Sequence, residues 1–407
     1  MYSAETNEDL PLSSEMLHFI NEYTDSKASD ISLKLSKKKH WPNEFIIQQI
    51  IGKQKAKKKF PLLASCSEII YPSLLAIEQA SSETTAKYKA SLVFGKKLLD
   101  LSGGMGIDCF FMATHFEEVY YNEPSTELYE ITLKNLQHLW NTKPEYKQKK
   151  ICFYNQGAED FLQTNKQKFD CIFIDPSRRK ENKKTVSLSE CTPNVLLLLP
   201  ELIKRSNKML IKASCMLDIK KAVEELMFVQ KVHVVSVNNE CKELLFECGK
   251  IPNKNYGIEC INITAKETHR FCFTFNDEKN STPLYSLPQH YLYDPHSSVT
   301  KAGAFNIVSQ QFHLKKIAAN THLYTSNKIE KNFPGTIYKV QATVSLNKKE
   351  ILPHLKQPEA MWMLRHSAFT EKELIQKTGI KNKSSPIVLF STRNLENKII
   401  IIICNII

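Results

Sequence analysis

The feature that most constrains this chain is a strand that runs into a glycine-rich loop and out into a helix. Leu98-Leu99-Asp100 is a short apolar run closed by an acid. Ser102-Gly103-Gly104-Met105-Gly106 follows, with three glycines in four positions, and then Asp108 and an apolar run, residues 109–113, able to open a helix. Glycines let the backbone turn tightly and let a ligand approach without a Cβ in the way. The first helical N–H groups have no intrahelical partner and are left for ligand oxygens. Without a ligand, the same pattern makes a tight βα turn and nothing more. About fifteen residues on, residues 118–123 read as a second strand ending in Glu123. An acid there can accept both hydroxyls of a ribose. The loop is not G-x-G-x-x-G, and no G-x-x-x-x-G-K-[ST] occurs, which argues against a phosphate-gripping ATPase loop.

A further strand supplies the chemistry. Residues 169–174 form a buried-strand pattern that ends in Asp175-Pro176-Ser177-Arg178-Arg179. In an open α/β sheet ligands sit beyond the carboxyl ends of the strands, so Asp175 is expected in the same crevice as Asp100 and Glu123. Pro176 stiffens the turn and removes one N–H. The Asp175 carboxylate is then an acceptor for an amino group, and accepting its N–H bonds aligns the nitrogen lone pair for attack, a gain of position. Arg178 and Arg179 could clamp a phosphate or stack on a base. The bland alternative is a strand-end aspartate capping the next turn, with both arginines solvated.

The loop spacing, Asp-x-Ser-Gly-Gly-x-Gly, is close to the Asp-x-Gly-x-Gly-x-Gly of S-adenosylmethionine (SAM) methyltransferases. Beyond the loop, residues 48–57, 78–89, 174–179, 239–244, 291–305 and 320–326 resemble the class I SAM-dependent methyltransferases that carry a THUMP-like domain at the C-terminus. The resemblance runs from about residue 40 to the end. It implies an α/β fold: a Rossmann-like class I methyltransferase sheet, with an N-terminal helical region and a C-terminal α+β THUMP-like domain. It also implies SAM as cofactor, held by Asp100, Ser102, Gly103, Gly104, Gly106, Asp108, Glu123 and Asp160. Catalysis falls to Asp175, Pro176, Arg178 and Arg179, and the C-terminal module is expected to bind RNA. Ser102 departs from the usual pattern, standing where most such loops have their first glycine. Glu159-Asp160 suits the adenine end of the cofactor, although acids at a helix start need no ligand.

Composition adds an anionic partner. The 407 residues carry a formal charge of +12, which favours an anionic partner, although a lysine-rich composition can merely reflect a low-GC genome; the resemblance implies that the partner is RNA, tRNA or rRNA. Lysines cluster at residues 34–59 around an apolar-periodic segment, which predicts a helix with one buried stripe and one basic face. A second basic cluster, residues 178–184, lies beside the proposed active site. No apolar stretch approaches the ~18 residues of a membrane span, and the polar, acidic N-terminus does not read as a signal peptide. The eleven cysteines form no C-x-x-C pair and no zinc-type cluster, so no metal is expected, and free thiols fit a reducing cytoplasm.

The organisation follows from these anchors. Residues 1–90 read as an N-terminal helical, basic region, with helices at 44–51 and 73–89. Residues 91–270 read as the methyltransferase domain, with strands at 97–101, 118–123, 150–154, 170–175, 208–213 and 232–237. Two more strands, near 243–248 and 258–264, are expected to form the antiparallel hairpin that ends such sheets. The resemblance implies a small ferredoxin-like segment over residues 280–325 and the THUMP-like domain over residues 326–407, and the sequence pattern predicts helices at 298–312 and 371–379. His322 and His366 are read as structural histidines, since methyl transfer to an amine requires no strong base. The expected activity is methylation of a ring or exocyclic nitrogen of an RNA base. The residues leave open a non-catalytic RNA-binding protein on the same fold, or a methyltransferase acting on a small molecule or protein.

Overall fold

The computed structural model describes residues 12–146, 149–178 and 187–407. The chain divides into two compact units, residues 1–212 with 248–250, and residues 213–247 with 251–407.

The first unit opens with helices α1 (Ser14–Glu22), α2 (Ala28–Leu35) and α3 (Asn43–Lys59). They close on a small core of Phe19, Ile20, Ile31, Leu35, Ile46 and Ile50. The helix expected at 44–51 thus runs eight residues longer, through the lysine-rich stretch. The expected 73–89 helix is two helices. Ser82 breaks it by capping α4 (Glu83–Ala90), its hydroxyl accepting the Thr85 N–H, a better use of a serine than a helix interior offers.

Beyond α4, strands and helices alternate, and the unit becomes a parallel sheet. Its strands are β1 (Lys97–Asp100), β2 (Glu118–Asn122), β3 (Lys150–Tyr154), β4 (Phe169–Ile174) and β5 (Ser206–Ser214). They lie in the order β3-β2-β1-β4-β5, every pairing parallel. Leu98, Leu99, Ile172, Phe173, Leu210 and Ile211 are buried, as expected for strands covered on both faces. The glycine loop leads from β1 into α5 (Ile107–Ala113), all of whose residues are buried.

The second unit contains β6 (Val229–Val237), β7 (Glu240–Cys248, ending in the first unit's Cys248), β8 (Gly257–Ile263) and β9 (Thr268–Thr274). The hairpin is not the expected one. β6 and β7 are neighbours joined by Asn238-Asn239, both left-handed (φ 49° and 63°). That two-residue turn matches the twist of antiparallel strands, and asparagine tolerates its positive φ. β8 instead lies parallel on β6, and β9 returns antiparallel to β8.

The C-terminal sheet is built around β10 (Tyr291–Pro295), β11 (Gly335–Val344), β12 (Glu359–Leu364), β13 (Ile387–Arg393) and β14 (Ile399–Ile406). The isoleucine-rich tail is a central strand, antiparallel to β11 on one side and to β13 on the other. Its alternate residues serve different faces. Ile402 and Cys404 pack with Leu292, Leu323 and Phe390, while Ile401 and Ile403 pack with Ile351, Trp362 and Leu374. The helix Glu371–Thr378 is closed by a Thr370 capping box and by Gly379 at φ 69°, the residue types such ends prefer. The expected 298–312 helix is broken into Ser297–Ala302 and Ile307–Gln311, with Gly303 at φ 75° ending the first.

Asp294 is nearly fully buried. Its carboxylate accepts two bonds from Arg365, from Nε at 2.8 Å and from Nη2 at 2.7 Å. This bidentate pair ties β10 to the segment after β12. Replacing Arg365 by Met leaves a buried carboxylate without its cation. We expect a loss of about 2–3 kcal/mol, read as a lower urea midpoint. An unchanged midpoint would show that the pair does not hold these segments together.

Candidate active site

Three strand ends of the first unit converge: Asp100 closes β1, Glu123 follows β2 and Asp175 follows β4. The glycine loop between β1 and α5 is held from several sides. The Gly103 N–H donates to the Asn122 carbonyl at 2.9 Å. A Cβ at Gly103 would meet the Tyr121 ring at 2.2 Å, so no other residue fits there without displacing the ring. The Gly104 carbonyl accepts from the Tyr121 hydroxyl (2.6 Å) and the Thr132 hydroxyl (3.0 Å), and its N–H donates to Glu123 Oε2 (2.8 Å). Gly104 and Gly106 have φ of 57° and 69°, left-handed values that cost other residues about 1–2 kcal/mol.

Each acid has a different environment. Asp100 is 1 % exposed; its Oδ1 accepts the Ser102 N–H at 3.2 Å, and Oδ2 has no hydrogen-bond partner among the described residues. Burial pushes its carboxyl well above the usual range; Asp108, Asp175 and Glu123 push the same way, against the Ser102 bond. Glu123 is also buried. Its Oε1 accepts from the Ser125 N–H at 2.9 Å and its Oε2 from Gly104. Burial raises it as well, opposed by those two N–H bonds. Each carboxylate oxygen carries two lone pairs, so this clamp on the loop leaves Glu123 acceptor capacity for hydroxyls.

Asp108 points elsewhere. It accepts from the Ser81 hydroxyl at 2.6 Å and pairs with the fully buried Lys89 ammonium at 3.2 Å. These contacts dock α4 and the turn before it onto α5. The geometry therefore makes Asp108 a strut between the N-terminal helices and the loop. Ser102 uses its hydroxyl to accept the Asp175 N–H at 2.6 Å, joining the loop to the end of β4. Asp160 is exposed in the first turn of the helix Ala158–Thr164, beside Gly157.

Asp175 is one-third exposed, and its Oδ2 accepts from the Lys212 ammonium. Sequence reasoning passed over Lys212, which lies near the end of β5, directly after the apolar run 209–211. A lysine at that place in a buried strand was the available signal. Pro176 follows Asp175, and Ser177–Arg178 forms a short antiparallel ladder with Cys191–Thr192. Arg179 and the lysines at 180, 183 and 184 lie outside the described residues.

The basic face expected on α3 is largely engaged within the chain. Lys53 donates to Asn21, Lys55 pairs with Glu78, Lys57 pairs with Asp25 at 2.6 Å, and Lys59 donates to the carbonyls of Ile77 and Glu78. His322 lies in the second unit, its ring stacked on Phe305 at 3.6 Å; burial holds it at about 4. No group of three or more His, Cys, Asp or Glu able to hold a metal occurs among the described residues. None of the described helices is long and apolar enough to cross a membrane.

Comparison with known proteins adds the following. Residues 291–334 match the model of a ferredoxin-like domain. The crystal structure of a proposed methyltransferase from Porphyromonas gingivalis W83 superimposes with a TM-score of 0.85. It is 26% identical, and the match covers 98% of this chain and 100% of that one. Two further structures match in part. M. capricolum TrmK, bound to S-adenosyl-homocysteine, has a TM-score of 0.31 and 12% identity over 41% of this chain and 67% of its own. A proposed RNA methyltransferase from Pyrococcus horikoshii has a TM-score of 0.32 and 15% identity over 48% of this chain and 98% of its own. No curated protein matches the sequence.

The buried Asp100 gives a direct test of what the loop is for. A carboxyl raised by folding stabilises the protein fully below the ordinary carboxylate range, and that contribution declines as pH rises toward the raised value. Asn at this position keeps the Ser102 bond and removes the decline. Asp100→Asn is expected to melt about 3 °C higher than wild type at pH 8, and at the same temperature near pH 4. Equal melting temperatures at pH 8 would show that the acid is not held under strain.

Proposed function

We propose that the protein is a SAM-dependent methyltransferase that acts on a nitrogen of an RNA base, in tRNA or rRNA. The observation that carries this reading is Asp100 Oδ2, a buried carboxylate oxygen without a hydrogen-bond partner among the described residues, at the mouth of a glycine loop. Such an atom calls for a cation or a donor from outside. Four acids gather here, and Lys89 answers Asp108 while Lys212 answers Asp175. Asp100 and Glu123 have no ion-pair partner among the described residues. A ligand with net positive charge and a ribose fits that remainder, and SAM is such a ligand. The near full-length likeness to the P. gingivalis protein supports the same assignment.

In this reading Asp100, Ser102, Gly103, Gly104, Gly106 and Glu123 form the cofactor site. Asp160 lies toward its adenine end, and Asp108 supports the loop from behind. Bound SAM supplies an electrophilic methyl group on sulfur. Asp175 accepts an N–H from the incoming base and fixes the direction of the nitrogen lone pair, a contribution of position. Arg178 and Arg179 would seat the nucleotide. Residues 91–270 would form the methyltransferase domain, residues 1–90 its helical support, and 280–325 with 326–407 a ferredoxin-like and THUMP-like RNA-binding part, in a cytoplasmic enzyme.

Two measurements test the reading. Calorimetry should show SAM binding that weakens at least about tenfold in Asp100→Ala and Glu123→Ala, the scale of one lost charged contact; no binding to wild type sinks the assignment. RNA affinity should fall linearly on a logarithmic salt scale, as phosphate contacts require. A flat salt response would favour a small-molecule or protein substrate.

A further inference from the structure

The backbone of Asp175 is held by a side chain of the glycine loop. The parallel ladder between β1 and β4 reaches Leu101, whose N–H donates to the Phe173 carbonyl at 3.0 Å. One step further, the parallel pattern would send the Asp175 N–H to the Leu101 carbonyl. That carbonyl instead accepts from Asn122 Nδ2 at 3.3 Å, and the Asp175 N–H goes to the Ser102 hydroxyl at 2.6 Å. Ser102 is fixed in turn by its own N–H, donated to Asp100 Oδ1 at 3.2 Å. A side-chain oxygen thus replaces the next backbone acceptor and holds Asp175 beyond the last ladder bond.

The two contacts on Asp175 restrict different motions. Lys212 meets the carboxylate, whereas Ser102 meets the backbone that carries it. Pro176 has no N–H to offer, so the Asp175 N–H is the last donor on β4's side of the turn. A glycine at position 102 would keep the bond to Asp100 and add freedom to the loop. It would also leave the Asp175 N–H without its side-chain acceptor. The backbone of Ser102 therefore serves the loop, and its hydroxyl serves the residue at the end of β4. A displacement of about 1 Å at a reacting centre can cost about a hundredfold in rate.

Resting on the methyltransferase reading above, we propose that the Ser102 hydroxyl is a positioning group for methyl transfer. Through the Asp175 N–H it sets the place from which the Asp175 carboxylate receives the acceptor nitrogen. Its contribution is to turnover and not to cofactor affinity, which the loop backbone, Asp100 and Glu123 supply. The side chain acts through Asp175, so its removal matters only while the Asp175 carboxylate is present.

The test uses the full-length protein, SAM with a labelled methyl group, and total RNA from a strain of the source organism lacking this gene. SAM affinity is read by calorimetry and turnover at saturating SAM and RNA. Ser102→Ala and Ser102→Gly should bind SAM within about twofold of wild type and turn over about tenfold more slowly, the scale of one lost hydrogen bond. Ser102→Thr retains a hydroxyl and should recover at least about half of the lost turnover. In an Asp175→Ala background, Ser102→Ala should lower the residual turnover by less than about twofold. A merely structural serine would lower turnover by the same factor in both backgrounds. Where Asp175→Ala leaves no measurable turnover, the split between affinity and turnover in Ser102→Ala decides. Wild-type turnover in Ser102→Gly, or a loss in Ser102→Ala that lies in SAM affinity, overturns this inference and leaves the methyltransferase reading standing. If one variant fails to fold, the other two decide. Absence of SAM binding to wild type, or of label in any RNA despite SAM binding, overturns the reading on which this inference rests.

Discussion

The close approach of the Gly103 backbone to the Tyr121 ring fixes the whole ligand-facing end of the first unit. With a Cβ excluded, the loop can lie flat against β2, and three groups from that strand's end take hold of it. The Asn122 carbonyl accepts from Gly103, the Tyr121 hydroxyl donates to the Gly104 carbonyl, and the Glu123 carboxylate accepts from the Gly104 N–H. The N–H groups of Gly103, Gly104 and Gly106 are thus all bonded within the chain. A pre-formed loop has little ordering entropy left to lose on binding.

The electrostatics are less settled than the backbone. Burying a carboxylate is costly unless it is paired, and the two lysines that enter this region each neutralise one acid. Lys89 arrives from the N-terminal helices and Lys212 from β5. The N-terminal helices are therefore more than a covering. Through Ser81 and Lys89 they hold Asp108, and through it the helix that begins at the loop. Asp100 is left buried and raised in pKa, a local conflict of the kind that sequences keep where a ligand resolves it.

Most of the sheet was legible in the sequence because buried parallel strands are written as continuous apolar runs bounded by polar turns. Residues 97–101, 118–123 and 150–154 fall within a residue of the observed strands. What failed was pairing. The Asn238-Asn239 turn is as clear a hairpin signal as the sequence holds, yet the antiparallel pair was placed one strand too late. Helix breaks at Ser82 and Gly303 were missed because apolar periodicity continues across them, while capping chemistry and positive φ stop the backbone. Charges were the hardest to read. The α3 lysines look like a free basic face in sequence, but Asp25, from the turn after α1, and Glu78, from the helix Leu74–Gln79, come to them. The Asp175–Lys212 pair joins residues 37 apart, and its local sign is no more than a lysine after an apolar run in β5.

The strand order β3-β2-β1-β4-β5 explains why the acids divide as they do. The chain moves outward from β1 to β2 and β3, then returns to place β4 on the other side of β1. At such a switch point the connections leaving the two central strands turn in opposite directions, opening a crevice beyond their carboxyl ends. Asp100 stands at that point. Groups that follow β2 and β3, Glu123 and Asp160, fall to one side of it, and groups from β4 and β5, Asp175 and Lys212, fall to the other. In the proposed function the first side would hold the cofactor and the second would receive the acceptor. Ser102 bridges them, its backbone N–H on Asp100 and its hydroxyl on Asp175. A glycine at that position would free the loop but remove the hydroxyl bridge. The departure at Ser102 from the usual glycine therefore has a structural reason: it ties the end of β1 to the end of β4.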